Sequence, residues 1–81
     1  DVALKFYPNP AYNVLNIQGF STQKRYIIEV HDLVGRVVNK HQIESDGLGV
    51  VSVPIDKLPS GQYLIWIKDS GVQYRSMFIK K

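Results

Sequence analysis

Gln62-Tyr63-Leu64-Ile65-Trp66-Ile67-Lys68, then Asp69-Ser70-Gly71-Val72, then a closing run to Lys80-Lys81, is the stretch that decides the fold of this 81-residue chain. Tyr63, Ile65 and Ile67 recur at every second residue, which is the period of a strand and not of a helix. A two-residue Ser70-Gly71 loop is tight-hairpin chemistry. It sets Tyr63 opposite Phe78, Ile65 opposite Ser76 and Ile67 opposite Tyr74, and that face is the expected core. The other face then holds Leu64 opposite Met77 and Trp66 opposite Arg75, where a guanidinium can lie over an indole. Just upstream, Leu58-Pro59-Ser60-Gly61 aims the chain into this hairpin, because proline pre-sets φ and glycine accepts a positive φ at the exit.

The same alternation continues outward through the chain. Apolar residues fall at Leu15 and Ile17, at Tyr26, Ile28 and Val30, and at Val51, Val53 and Ile55. Between them lie Pro8-Asn9-Pro10, Asp32-Leu33-Val34-Gly35 and Asp46-Gly47-Leu48-Gly49, all turn-forming clusters. The reading is one all-β domain over residues 1–81, with strands at 3–7, 14–18, 25–32, 37–43, 49–55, 62–68 and 72–80 in a two-sheet antiparallel sandwich.

Composition excludes several function classes. The net charge of +3 is spread thinly, and no run of Lys or Arg exceeds the pairs Lys24-Arg25 and Lys80-Lys81, so no nucleic-acid footprint is expected. No stretch approaches the ~18 apolar residues of a membrane-spanning helix. Without cysteine, stability must come from packed strands, and the two histidines cannot make an all-protein zinc site. In a hairpin around Val34-Gly35, His31 would face Val38 and His41 would lie about 10 Å further along, too far to share a metal. Both are expected as surface strand residues. The same register pairs Glu29 with Lys40, worth at most about 1 kcal/mol if exposed. It also sets His41 against Ile28, which interrupts the apolar face, so that a bulge would have to shift the pairing. No nucleophile–base–carboxylate set, calcium loop or phosphate-binding fingerprint emerges, so no catalytic residue, metal or cofactor is assigned. The acids sit mostly at turns, where Asp bonds a nearby backbone N–H.

Leu64, Trp66 and Met77, ringed by Arg75, Lys68 and Gln73, form a face too apolar for simple solvation. It is either a docking surface or a face covered by other parts of the protein. Gly35 is expected to supply a positive-φ turn that leaves Arg36 as an exposed cation, able to meet a partner carboxylate.

Three motifs in order, Tyr7-Pro8-Asn9-Pro10-Ala11, Val30-His31-Asp32-Leu33-Val34-Gly35-Arg36 and Leu58-Pro59-Ser60-Gly61-Gln62-Tyr63, with a terminal strand ending in Lys80-Lys81, resemble the C-terminal sorting domain of type IX secretion cargo. The resemblance covers nearly the whole chain. It implies an immunoglobulin-like sandwich and a non-catalytic secretion signal, cut from a longer precursor whose cargo domain lies upstream. It further implies passage through the periplasm, recognition by the type IX shuttle, translocon and sortase proteins, and a final place at the cell surface or outside. Lys80 and Lys81 match the family's basic ending and are expected to be accessible at the terminus. Arg36, Leu64, Trp66, Arg75, Met77, Lys80 and Lys81 are thus the candidate partner-binding residues. Tyr7, Pro8, Asn9, Pro10, Gly35, Arg36, Leu58, Pro59, Gly61 and Tyr63 are the motif positions. A competing reading is an accessory sandwich of a secreted enzyme, either structural or binding carbohydrate on Trp66, Tyr63 or Tyr74.

Overall fold

In a computed structural model, which describes residues 4–69 and 72–81, the chain forms seven strands: β1 (Lys5–Tyr7), β2 (Val14–Gln18), β3 (Arg25–His31), β4 (Val37–Glu44), β5 (Val50–Pro54), β6 (Gly61–Asp69) and β7 (Val72–Lys80). The expected first residue of β1 and the Ser70-Gly71 loop lie outside the described residues. The strands make an antiparallel three-stranded sheet, β1-β2-β5, packed on an antiparallel four-stranded sheet, β4-β3-β6-β7. The all-β sandwich and its seven strands are as the alternation requires.

Period-two patterning explains the core. Leu15, Ile17, Val51 and Val53 of the first sheet meet Ile28, Val30, Ile65 and Ile67 of the second, all with no exposed surface. Phe78 and Tyr63 close the same layer, stacked with ring centroids 5.7 Å apart. Each such side chain contributes about 1.5–3 kcal/mol by leaving water. The β6–β7 register is the expected one, pairing Tyr63 with Phe78, Leu64 with Met77 and Trp66 with Arg75.

The β3–β4 pairing follows the expected register from Arg25 to Val30, including Glu29 with Lys40 and Ile28 with His41. A shift between Val30 and His31 then moves His31 onto Val37 instead of Val38. The bulge thus lies at the hairpin end, and His41 keeps its place on the inward face of β4. Neither histidine is the surface residue expected. The His31 side chain is only 12% exposed, and His41 Nε2 is buried with no hydrogen-bond partner among the described residues.

Two turns share one construction. Asp32 Oδ1 accepts from Val34 N and Arg36 N, and Asp46 Oδ1 accepts from Leu48 N and Val50 N. Each needs a glycine at its fourth position: Gly35 has φ 100° and Gly49 has φ 75°. At Gly49 a Cβ would also strike the Phe20 carbonyl oxygen. These backbone bonds hold both carboxyls below their ordinary range. Buried Ser45, which sequence patterning did not single out, ties the β2–β3 connection to β4: its hydroxyl reaches Ser21 O, and it accepts from Lys24 N.

Candidate functional site

The outward face of the four-stranded sheet carries the hairpin residues singled out in the sequence. Because Glu29 pairs with Lys40 on one side and Trp66 on the other, and Trp66 pairs with Arg75, one row crosses the whole sheet: Lys40, Glu29, Trp66, Arg75. The Arg75 guanidinium lies 4.9 Å from the Trp66 ring centroid, and the His31 imidazole stacks on the same indole at 4.9 Å and 17°. The next row runs His31, Leu64, Met77. Met77 is 52% exposed, while Leu64 and Trp66 are half-buried, with Trp66 Nε1 buried and lacking a hydrogen-bond partner among the described residues.

Glu29 organises this face, although in sequence it was only the partner of Lys40. It is buried to 8% exposure and accepts from His31 Nε2 at 3.0 Å and Lys68 Nζ at 3.3 Å, with Lys40 Nζ at 3.8 Å. The His31 hydrogen bond, with Lys68 and Lys40 in support, holds the Glu29 carboxyl below the usual glutamate range against the opposing effect of burial. One signal was available: Glu29 and His31 are alternate residues of one strand and must share a face. The β3–β6 pairing that adds Trp66 and Lys68 was not available from local pattern.

The three motifs meet at one end of the sandwich. Asn9 Oδ1 accepts from Ile79 N at 3.3 Å, Ala11 N donates to Ile79 O at 2.8 Å, and Lys81 N donates to Ala11 O at 2.8 Å. The proline-rich segment is thus laid along the last residues of β7, in a parallel bridge of Ala11 with Lys80. Pro8 and Pro10, exposed and lacking N–H groups, end the edge strand β1 and shape that approach. Tyr7 is 41% exposed. In the third motif, Leu58 is buried, the Tyr63 hydroxyl donates to Pro59 O at 2.6 Å, and Gly61 pairs with Lys80. The middle motif reaches the same end, because His31 of β3 pairs with Leu64 near the start of β6, and its Nδ1 lies 3.4 Å from Gly35 O.

Accessibility at this end differs from expectation for one residue. Lys80 is 9% exposed, clasped between Gly61 and Ala11, with its Nζ donating to Lys81 O at 2.9 Å. Lys81 is exposed. Arg36 is 79% exposed in its side chain, as expected, yet its Nε bonds Asp32 Oδ2 at 2.9 Å.

Among the described residues no group of three or more His, Cys, Asp or Glu could hold a metal ion, and no helix is long and apolar enough to cross a membrane. An open pocket of about 210 Å³ lies at the opposite end, lined by Gly19, Phe20, Ser21, Tyr26, Asp69 and Tyr74. Asp69 is there engaged by Lys24 Nζ at 2.9 Å.

Residues 5–81 match the profile of the family described as the secretion system C-terminal sorting domain. The chain belongs to that family. Its resemblance to type IX sorting signals therefore holds over essentially the whole domain, and the family is one of non-catalytic signals for export to the cell surface or the extracellular space. Comparison with curated protein sequences gives no significant match. Among solved structures, the sorting domain is similar to a DUF3244 family protein with an immunoglobulin-like β-sandwich fold from Bacteroides vulgatus ATCC 8482, with a TM-score of 0.71 and 18% identity over 96% of this chain and 83% of that one. At that identity the likeness bears on the fold alone, which is immunoglobulin-like.

Proposed function

We propose that this sorting domain is read as a folded module, through the end of the sandwich where its motifs meet and the adjoining outward face of β6 and β7. The observation that supports this most is the clasp of Asn9 and Ala11 on Ile79 and Lys81, which makes the first motif and the terminal strand one surface. Arg36 and Lys81 then offer exposed cations at the motif end, and the adjoining face carries the apolar row of Leu64 and Met77, with Trp66 and Arg75 in the next row. Lys80 acts through the clasp, since it is buried there.

In this reading the domain spans residues 1–81 as the C-terminal part of a longer secreted precursor. Lys5 pairs with Gln18 at the far end of the sandwich, so an upstream cargo joins away from the motifs and leaves them open. The domain passes through the periplasm, meets the shuttle and the outer-membrane translocon, and is then available to a surface sortase that separates it from the cargo.

Fusion to a periplasmic reporter, in a host with the type IX apparatus, tests the reading. Export of the reporter is expected. Retention in the periplasm of a stable, folded fusion would overturn it.

The carbohydrate reading has less to stand on. Tyr63 is buried with its hydroxyl committed to Pro59, and the Trp66 ring is covered by His31 and Arg75. A titration with polysaccharides that leaves Trp fluorescence unchanged is expected.

A further inference from the structure

The hydrogen-bonding parity of β7 leaves part of its backbone open. In an antiparallel pair, alternate residues turn their N–H and C=O toward the neighbouring strand and the others turn them away. Ile79 belongs to the outward set, since its N–H donates to Asn9 Oδ1 and its C=O accepts from Ala11 N. Gln73, Arg75 and Met77 share that parity. Among the described residues their outward backbone groups have no backbone partner, and Met77 O accepts one long side-chain hydrogen bond, from Ser76 Oγ at 3.5 Å. All three side chains are exposed.

The other edges are blunted in the ways sheet proteins use against unwanted pairing. β1 has 3 residues, β4 pairs through the irregularity at Val30 and His31, and β5 ends in Pro54, whose carbonyl accepts from Asn39 Nδ2. β7 runs for 9 residues with continuous register and no proline. Its C-terminal end already accepts an added segment, the parallel Ala11 bridge.

We propose that an extended segment of a partner protein, carrying an acidic and an apolar residue at alternate positions, adds as a further strand on the open β7 edge at Gln73, Arg75 and Met77. The rows of the sheet dictate the chemistry of that segment. The row Lys40, Glu29, Trp66 ends on the Arg75 guanidinium, which makes no ion pair among the described residues, so a carboxylate fits the next place out. The row His31, Leu64 ends on exposed Met77, so an apolar side chain fits beside it. A second copy of this chain fits less well, because antiparallel pairing centred on Arg75 would set two guanidiniums directly opposite. That the segment belongs to the export machinery rests on the sorting reading; the open edge does not.

The test is a titration of the isotopically labelled domain with two synthetic hexapeptides, Thr-Glu-Thr-Val-Thr-Thr and its counterpart with Lys in place of Glu, each setting the charged and the apolar side chain two residues apart on one face, read by amide chemical shifts. Shifts are expected at Gln73, Arg75 and Met77 with the Glu peptide. Binding of the Lys peptide should be about two- to fivefold weaker, the reach of one exposed charge pair. Arg75→Glu should reverse that order. Met77→Pro removes an N–H that the fold does not use, so it should fold and lose the shifts, whereas Ser76→Pro removes one directed at β6 and should disrupt the sheet. Absence of shifts at millimolar peptide, shifts confined to other strands, or shifts that persist in folded Met77→Pro would overturn the proposal. If Met77→Pro does not fold, failure of Arg75→Glu to reverse the preference overturns it. In the reporter assay the two readings fail separately: a retained wild-type fusion refutes the sorting reading, while wild-type export of Met77→Pro refutes the edge as the site.

Discussion

Trp66 and Phe78 lie on the same hairpin and differ in which face they occupy. Phe78 is 1% exposed in the core, whereas Trp66 stands on the outward face between His31 and Arg75. Phe78→Ala should cost about 3–5 kcal/mol of unfolding free energy, and Trp66→Ala about 1 kcal/mol, because the latter leaves no closed cavity. Urea denaturation of the two variants checks this, and equal losses would place Trp66 in the core. Glu29 gives a pH-dependent prediction. Its carboxyl is held below the ordinary glutamate value, so its stabilising effect is fully present above the unfolded-state pKa and is lost as pH falls through the lower folded one. Stability should therefore decline below about pH 4.5. Glu29→Gln should lower stability by about 1 kcal/mol at pH 7 and flatten the acid limb of the melting-temperature profile. An unchanged acid limb would show that Glu29 does not carry it, leaving Asp32 and Asp46, whose carboxyls are lowered by their own turns.

At the scale of the elements, what was legible was what is local. Alternation in β2, β3, β5 and β6 and the parity of the β6–β7 hairpin follow from period two and turn chemistry, each within a few residues of sequence. The pairing of β3 with β6 joins Glu29 to Trp66 and cannot be read that way, because alternation names the faces of a strand and not its neighbour. The same limit hid the clasp, where Asn9 and Ile79 meet across 70 residues of sequence. It also explains Lys80, which looked like a free terminus until β7 was found paired on one side by β6 and on the other by Ala11. Asn9→Ala removes one bond of that clasp, and amide exchange at Ile79 should quicken about tenfold while amides of β3 keep their protection. Uniform change across both strands would mean that the clasp is not a separable unit. A deletion of Phe78–Lys81 is a poor probe of the signal, since it removes core Phe78 together with Lys81.

Across the whole molecule, the two ends of the sandwich are unlike. One gathers the motifs, Arg36 and Lys81; the other holds the start of β1 and the pocket around Phe20, Tyr26 and Tyr74. With a longest extent of 30 Å, a cargo joined before Lys5 is held away from the residues proposed to be recognised. In the proposed reading, recognition needs a folded sandwich, because the motif end is assembled from segments distant in sequence. It also needs side chains that folding does not use. The measurement that tests this most directly is export of a reporter fused to the domain carrying Arg36→Ala, Trp66→Ala, Arg75→Ala and Lys81→Ala together, with cooperative urea unfolding verified on the same protein. Retention of a folded variant, against export of the wild-type fusion, is the predicted result; export of the folded variant at the wild-type level would contradict the account.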